Sequence, residues 1–324
     1  MLRFSHEQLL PFCQGVFERL GVPPAEALVA ASALVRADLE GVESHGISRL
    51  NIYARRLREK RINPQPKIRL EERGAILLVD GDHGLGQVVA TRAVERGLRL
   101  AEKNGIVAIA IRKSNHFGTA SYYAQLACQA GKIFIGMTTS PPGIAPWGGK
   151  QAYLGTNPIA FGFPTQTDTP VIIDLSTSVV ARGKIMLAAK TGQAIPKGWA
   201  LDKEGRETED AQAALQGALL PFGGAKGYAL ALAIEIISGV LTGASFGTQV
   251  QNLYLDHHGQ ADVGHFFILL DPKEFLPEEA YHHDINQLLR ELKQIPLAEG
   301  YTEILYPGER RKREYEKRLK QGIP

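Results

Sequence analysis

Cysteine is scarce in this sequence, which has 2 in 324 residues. Cys13 and Cys128 stand far apart, so they do not form the closely spaced set of a disulfide-stabilised secreted domain. The first residues, Met1 to Glu7, lack the apolar segment of a secretory signal. We therefore expect a cytoplasmic protein with two inert thiols.

Long apolar runs and a large net charge are missing too. The most apolar run, Tyr228 to Ala244, is interrupted by Glu235 and is too short for a membrane span. The formal net charge is only +3, and the basic stretch 309–320 is predicted to be a solvated helix end rather than a nucleic-acid site. We expect neither a membrane nor a nucleic acid among the partners.

Two familiar ligand motifs are also absent. Residues 81–86 carry glycines between a predicted strand and a predicted helix, but their spacing is GxxGxG, so they are not a Rossmann dinucleotide fingerprint. A second group of residues has side chains that can bind a metal, but their spacing fits no familiar zinc site. These residues are Asp256, His257, His258, Asp262 and His265. We expect no metal.

Periodicity predicts an α/β (mixed α+β) fold, with a helical amino-terminal region followed by alternating strands and helices. Helices are predicted over 5–20, 23–40, 46–60, 87–104, 119–130 and 278–293, and strands over 75–79, 106–111, 133–137, 171–174 and 264–270. Residues 191–217 are predicted to be a surface excursion with a short helix after Asp210.

Three local features lead to sharper expectations. Ser176 to Ser178 are predicted to cap a helix that runs to about Lys190. Residues 140–149, rich in proline and glycine, are predicted to lie outside any sheet interior. The apolar helix that begins at 223–228 is predicted to be buried on all sides.

Residues 41–49 contain the main candidates for chemistry. Gly41 is predicted to end one helix and Ser44 to cap the next, which places His45 and Arg49 on one helical face, roughly 5–6 Å apart. There a guanidinium can hold a carboxylate while an imidazole, kept neutral by the helix dipole, moves the proton of a neighbouring hydroxyl. A plain capped junction between helices is the alternative, and this stretch alone favours it.

Other motifs leave further alternatives open. Ser44 adjoins His45, but neighbouring side chains diverge on a helix, so the sequence predicts no serine–histidine hydrogen bond of the hydrolase type. His116 lies in a strand-to-helix loop, where side chains meet ligands in open sheets, although a lone histidine there is more often packed. The helix starts at 176–178 and 223–226 are candidate anion sites, the second with Lys226.

Six segments, taken in order, resemble the type-2 malate/L-lactate dehydrogenase family. They are 37–50, 114–118, 146–149, 155–158, 174–178 and 220–228, and together they extend over most of the chain. The family includes ureidoglycolate, sulfolactate and diketogulonate oxidoreductases and piperideine/pyrroline-2-carboxylate reductases. The resemblance implies a nicotinamide-dependent oxidoreductase with a non-Rossmann NAD(P)-binding fold, and a homodimer with its active site near the subunit interface.

The resemblance also implies roles for single residues. His45, with Ser44 beside it, would be the proton donor and acceptor, and Arg49 would bind the substrate carboxylate. His116 matches a second histidine that is the proton acceptor in some members, and Thr156 and Asn157 would line the substrate pocket. Cofactor-binding positions would be Ser140, Asp174, Leu175, Ser176, Lys226, Asp284, Ile285, Asn286, Gly308, Glu309 and Arg310.

Two domains are implied as well: a mainly helical one from residues 1–72 and 281–324, and a sheet-containing cofactor domain from residues 73–280. We therefore expect hydride transfer between NAD(P), with NAD slightly favoured, and C2 of a small 2-hydroxy or 2-keto acid. The alternatives are an NADPH-dependent reductase of a cyclic imine-2-carboxylate and a catalytically silent binding protein. The substrate, the choice between NAD and NADP, and the choice between His45 and His116 as principal proton carrier stay open.

Overall fold

The structure, a computed structural model, describes residues 2–252 and 259–324. Its α-helices are α1 (His6–Arg19), α2 (Pro24–Leu39), α3 (Leu50–Arg58), α4 (Gly86–Asn104), α5 (Ala120–Gln129), α6 (Arg182–Thr191), α7 (Ala211–Gln216), α8 (Ala225–Glu235), α9 (Glu278–Gln294) and α10 (Glu309–Gln321). Its strands are β1 (Arg69–Arg73), β2 (Ile76–Asp80), β3 (Ile106–Ser114), β4 (Ile133–Thr138), β5 (Pro142–Ile144), β6 (Leu154–Gly155), β7 (Ile159–Phe163), β8 (Val171–Leu175), β9 (Ala200–Leu201), β10 (Ala218–Leu219) and β11 (Val263–Leu270).

A seven-stranded sheet in the order β1-β2-β3-β11-β4-β7-β8 forms the centre of the fold. Strands β2 and β3 run parallel, whereas the other neighbours in this sheet are antiparallel. Helices α4 and α5 pack on the sheet over a core that includes Ile109, Tyr123, Phe134 and Phe267. The predicted mixed α/β class is confirmed, and the predicted strands are all present.

Helices α1, α2 and α3 form a second apolar core, with Phe17, Leu34 and Tyr53 among its buried side chains. The end of the chain joins this core, because Ile323 packs into it and exchanges two backbone hydrogen bonds with Phe4. Helix α10 packs against α2. The two ends of the described chain therefore meet in one helical layer.

The helix predicted over 46–60 is wrong at its beginning. Two short 3-10 turns, Glu43–His45 and Ile47–Arg49, precede α3. Gly46 separates them with φ −88° and ψ −147°, which is extended rather than helical backbone. The predicted stop at Gly41 agrees with the structure, since its φ is +75°.

Residues 176–178 do not cap a helix, contrary to the prediction, because α6 begins only at Arg182 after Ala181. Instead, the Thr177 N–H and hydroxyl both donate to the Thr156 carbonyl, at 2.9 and 3.0 Å. A contact with a residue distant in sequence thus occupies the Thr177 N–H and hydroxyl, which the local pattern had assigned to the start of a helix.

The prediction for residues 140–149 is wrong as well. Strand β5 lies inside a four-stranded sheet of order β6-β5-β10-β9. Pro142 is tolerated because it is the first residue of the strand, where a missing N–H costs least. In the surface excursion, the short helix predicted after Asp210 is α7, and Asp210 caps it by accepting a hydrogen bond from the Gln212 N–H.

Neither α8 nor α10 has the predicted exposure. Helix α8 continues into a π-helical turn, Ile236–Val240, and exposes apolar side chains along one face, so it is not buried on all sides. Helix α10 is not simply solvated, because Arg318 is buried.

The charged strand β1 was not predicted from the sequence, because all five of its residues are exposed and show no apolar alternation.

Gly46 is confined by the side chain of Asp38. A β-carbon at residue 46 would lie 2.0 Å from one carboxylate oxygen of Asp38 and 2.3 Å from the other. The same carboxylate accepts a hydrogen bond from the Ile47 N–H at 2.7 Å. The absence of a side chain at residue 46 therefore lets a buried carboxylate hold the backbone of this segment.

We expect Gly46→Ala to lower the free energy of unfolding by about 1–3 kcal/mol, the usual cost of forcing atoms into a packed site. Urea denaturation measures this change. The control is Gly15→Ala within α1, where a β-carbon meets nothing within 4 Å and the alanine should stabilise by roughly 0.5–1 kcal/mol. A Gly46→Ala protein as stable as the wild type would contradict the described contact.

Candidate active site

Asp38, Glu43 and Arg318 anchor the segment that carries His45. Besides the Ile47 N–H bound by the Asp38 carboxylate, Arg318 donates to the Asp38 backbone carbonyl at 2.7 Å and pairs with the Glu43 carboxylate. Burial raises the pKa of Asp38 to about 6. Helices α2 and α10 thus hold the segment from two sides.

His45 lies between a hydroxyl and a guanidinium. Its Nδ1 is 2.8 Å from the Ser44 hydroxyl oxygen, and Arg49 Nε donates to the Ser44 carbonyl at 2.6 Å. Burial first, and then the positive charge of Arg49, lower the pKa of His45 to about 4. The neutral imidazole expected from the sequence agrees with this value, although burial rather than an α-helix dipole is its main cause.

The predicted absence of a bond between Ser44 and His45 is wrong. That prediction assumed an α-helix, in which neighbouring side chains diverge, whereas these residues belong to a 3-10 turn followed by extended Gly46. Ser44 caps neither turn, and its hydroxyl serves the imidazole instead.

His116 lies directly beside His45. The two ring centroids are 5.5 Å apart and the rings are nearly stacked. The His116 Nδ1 is 2.6 Å from the Tyr53 hydroxyl and accepts a hydrogen bond from the Gly118 N–H at 3.3 Å. Burial, and then the proximity of His45, hold the pKa of His116 well below its usual value. Two candidates 71 positions apart thus share one site.

Asp174 acts on His45 through its negative charge, which raises the pKa of that imidazole. Its Oδ2 accepts hydrogen bonds from the Ser121 N–H at 3.0 Å and from Arg311 Nη2 at 3.4 Å. Arg311 also donates to the Ser121 hydroxyl at 2.5 Å.

Tyr53 and Arg311 were not predicted from the sequence; Arg310, which was, has an exposed side chain. The available signal for Arg311 was helical spacing, because Arg311, Tyr315 and Arg318 recur at one face of α10 and are all at least half-buried. Tyr53 offered only the signal of a core aromatic residue.

A second group of predicted residues surrounds the fully buried Asn157. Its Oδ1 accepts the Ser140 N–H at 3.1 Å, and its Nδ2 donates to the Ala231 carbonyl and to the Glu235 carboxylate. Thr156 Oγ1 lies 3.3 Å from the Ser140 hydroxyl. Protein partners therefore occupy the Asn157 amide, which ties β4, β7 and α8 together.

Strand β8 joins the two groups. Asp174, near its carboxyl end, acts electrostatically on His45, and Thr177 just beyond the strand bonds to the Thr156 carbonyl. Leu175 is exposed, and the Ser176 hydroxyl lies 3.1 Å from the Ser178 hydroxyl.

Lys226 stands exposed in the first turn of α8. Gly223 and Gly224 precede it with φ of +60° and +64°, and no described side chain caps this helix start. Free backbone N–H groups and one ammonium are a donor set suited to a phosphate.

Two further predicted residues, Asn286 and Glu309, line a surface groove of about 530 Å³. Asn286 donates to Gln166 at 3.0 Å, and Glu309 pairs with Lys293. Gly308 packs against the backbone at Pro170, so this groove lies at the amino end of β8, away from Asp174. Asp284 is exposed beside His283, and Ile285 is half-buried.

Within the described residues, no three His, Cys, Asp or Glu side chains are grouped so that they could hold a metal ion. Of the five metal-capable residues considered in the sequence, Asp256, His257 and His258 lie outside the described residues. The other two have structural partners: Asp262 accepts the Lys113 N–H, and His265 lies between Thr138 and Ser114. No helix in the described ranges is long and apolar enough to cross a membrane.

Comparison with known proteins places this arrangement among relatives. The sequence model described as malate/L-lactate dehydrogenase matches residues 4–324. Malate dehydrogenase of Pyrococcus horikoshii is 40% identical over 100% of this chain and 91% of its own length. The solved structure of sulfolactate dehydrogenase from Methanocaldococcus jannaschii superposes with a TM-score of 0.94 at 40% identity, over 100% of this chain and 93% of that one.

Relatives with either cofactor in their names are also similar. The (2R)-3-sulfolactate dehydrogenase (NADP+) of Chromohalobacter salexigens is 41% identical over 91% of this chain and 86% of its own length. The ureidoglycolate dehydrogenase (NAD+) of Escherichia coli O157:H7 is 37% identical over 95% and 88%. The family and enzyme class predicted from the sequence are confirmed: this chain belongs to the malate/L-lactate dehydrogenase family of oxidoreductases.

Proposed function

We propose that this enzyme transfers a hydride between NAD(P) and C2 of a small anionic 2-hydroxy acid of the malate or sulfolactate type. The observation that carries the proposal is the meeting of two neutral imidazoles with one guanidinium: His45 and His116 lie 5.5 Å apart, and Arg49 is bonded to the backbone beside His45. The names of the similar malate and sulfolactate dehydrogenases support this substrate class.

Each of the three side chains has a role that follows from its chemistry. Arg49 offers a carboxylate a charged, two-pronged donor, and burial strengthens such a pair by excluding water. A neutral imidazole can take the proton from a C2 hydroxyl or donate a hydrogen bond to its oxygen. Ser44 orients His45 through Nδ1.

The cofactor, when bound, accepts or returns the hydride. We propose that Ser140, the segment Asp174–Leu175–Ser176 and Lys226 hold it, because the uncapped start of α8 and Lys226 suit a phosphate. Asp284, Ile285, Asn286, Gly308, Glu309 and Arg310 would extend the cofactor site along the groove at the other end of β8. Since relatives carry NAD+ or NADP+ in their names, both cofactors need to be tested, with NAD expected to be preferred.

We also propose the non-Rossmann cofactor fold and the division into residues 1–72 with 281–324 and residues 73–280. The antiparallel neighbours in the main sheet support the first, because a Rossmann sheet is mostly parallel. The glycine turn at 81–86 supports it too, since Gly84 packs on Pro66 and Gly86 on the Asn115 backbone. The packing of α10 on α2 supports the division into two domains, because it joins the two ends of the chain.

A homodimer and a cytoplasmic location complete the proposal. Leu232, Ile236 and Val240 recur four residues apart along α8 and its π-helical turn, and they are 37%, 49% and 54% exposed. A continuous apolar stripe of this kind suits a second copy of the chain. For the location, the support is the pair of free, buried thiols at Cys13 and Cys128.

The first test is a panel of 2-hydroxy and 2-keto acids, assayed with NAD and NADP and extended to a cyclic imine-2-carboxylate. We expect turnover with malate or sulfolactate, and Arg49→Lys should raise KM for the acid about 10- to 100-fold because the two-pronged pair is lost. Turnover of the imine alone would make the enzyme a reductase, and failure to bind either cofactor would leave a silent binding protein.

The second test is the pH dependence of kcat/KM for oxidation of the acid at saturating cofactor. Because the pKa of His45 is lowered to about 4, the neutral base is present above that pH, and the rate should fall only as the pH drops towards 4. Arg49 and Arg311 oppose the charged form of His45, and Asp174 favours it. An acidic limb near the ordinary histidine pKa would contradict this environment.

The third test is the oligomeric state by light scattering after size exclusion. We expect a dimer that Ile236→Glu converts to a monomer, because a charge buried in the apolar stripe costs more than the contact gains. The control is Leu70→Glu on the exposed, charged strand β1, which should stay dimeric. If the wild type is a monomer, or if Ile236→Glu stays a dimer, the stripe is not the interface.

A further inference from the structure

The Nδ1 atom of His116 faces two donors. One is the Gly118 backbone N–H, which can only donate, and which reaches Nδ1 at 3.3 Å. The other is the Tyr53 hydroxyl at 2.6 Å. Burial raises the pKa of Tyr53 to about 12, so its hydroxyl keeps its proton and can donate it in a hydrogen bond. Because the Gly118 N–H can only donate, Nδ1 presents its lone pair to it, and the Tyr53 hydroxyl can donate to the same atom.

This arrangement fixes the tautomer of His116. A neutral imidazole has one protonated nitrogen, so with Nδ1 as the acceptor the proton is on Nε2. An imidazolium would place a second N–H at Nδ1, directly against the Gly118 N–H, which cannot accept it. The charges of Arg49 and a protonated His45 oppose it as well. His116 can thus donate through Nε2, whereas a proton added at Nδ1 would be opposed by the Gly118 N–H.

His45 differs at the same atom. Its Nδ1 faces the Ser44 hydroxyl at 2.8 Å, and a hydroxyl can rotate to donate or to accept. The imidazolium of His45 can therefore be formed, with its Nδ1–H donating to Ser44 Oγ. Asp174 favours that charged form. The two stacked histidines have unequal capacities for a proton because of what each Nδ1 contacts.

We propose that Tyr53 is a positioning residue that, with the Gly118 N–H, locks His116 as an Nε2–H donor to the C2 oxygen, and that His45 alone carries the proton. On oxidation, the hydroxyl proton moves to a ring nitrogen of His45. The O–H electron pair becomes the second bond of the carbonyl as the hydride leaves C2 for the nicotinamide. Reduction returns the same proton from His45. This assignment rests on the proposed dehydrogenase function.

The deciding experiment is a proton–nitrogen multiple-bond NMR spectrum of the full chain with ¹⁵N-labelled histidine, with His116→Gln used for assignment. The wild-type His116 should show a protonated Nε2 and an unprotonated Nδ1 between pH 5 and 8, without titrating. A protonated Nδ1, or a titration in that range, overturns the proposal. This spectrum needs neither substrate nor cofactor, so it stands apart from the fate of the proposed function.

Tyr53→Phe removes one of the two donors, and the matched control is Tyr123→Phe. Tyr123 is equally buried, and its hydroxyl donates to the Phe117 carbonyl of the same loop at 2.6 Å, without touching His116. We expect Tyr53→Phe to populate the Nδ1–H form and lower kcat about fivefold, the value of one hydrogen bond near 1 kcal/mol, with KM for the acid changed less. Tyr123→Phe should keep the wild-type tautomer. The same tautomer in both variants would reduce Tyr53 to a structural role.

Glutamine substitutions separate donor from proton carrier. A glutamine amide N–H can replace the Nε2–H of histidine as a donor, but it cannot take up a proton. His45→Gln should therefore lose about 10²–10⁴ in kcat, and His116→Gln should lose less. The reverse order would make His116 the proton carrier and overturn the assignment.

Discussion

The rest of the site depends on one contact. The buried carboxylate of Asp38 packs against the backbone of Gly46 and accepts a hydrogen bond from the Ile47 N–H. Burying a carboxylate is unfavourable, and the Ile47 N–H offsets part of that cost. The approach is possible only because residue 46 lacks a β-carbon. The segment is therefore pulled out of helical geometry, and the resulting 3-10 turn places the Ser44 hydroxyl on the His45 ring.

The electrostatics of the site favour neutral imidazoles beside an anion. Burial lowers the pKa of both His45 and His116, and Arg49 adds to the effect at each. Asp174 and Arg311 contact each other, so the carboxylate is partly compensated before it acts on His45. In the proposed function, the substrate carboxylate would meet Arg49 beside histidines that contribute no positive charge of their own. Such surroundings suit an acid whose hydroxyl must lose its proton near neutral pH.

Whether a feature could be predicted from the sequence depends on how far apart along the chain its interacting residues lie. Helix α2, its stop at Gly41 and the strands of the main sheet were predictable because neighbouring residues determine their periodicity. The 3-10 turns were not, because Asp38 lies eight positions before Gly46. The prediction that a helix starts at 176–178 was wrong for the same reason, since Thr177 bonds to a carbonyl 21 positions away. Spacing alone placed His45 near Arg49, but only the family resemblance linked either to His116.

The anchoring of the site by α10 affects the order in which the protein can become active. Arg318 bonds to the Asp38 carbonyl across 280 positions, and Arg311 reaches Asp174 across 137. During synthesis the amino-terminal helices emerge long before these two arginines leave the ribosome. Contacts of such long range also close late and slowly in folding. A nascent chain can thus bring α1, α2 and α3 together early, yet the candidate active site stays unfinished until residues 311–318 have been synthesised.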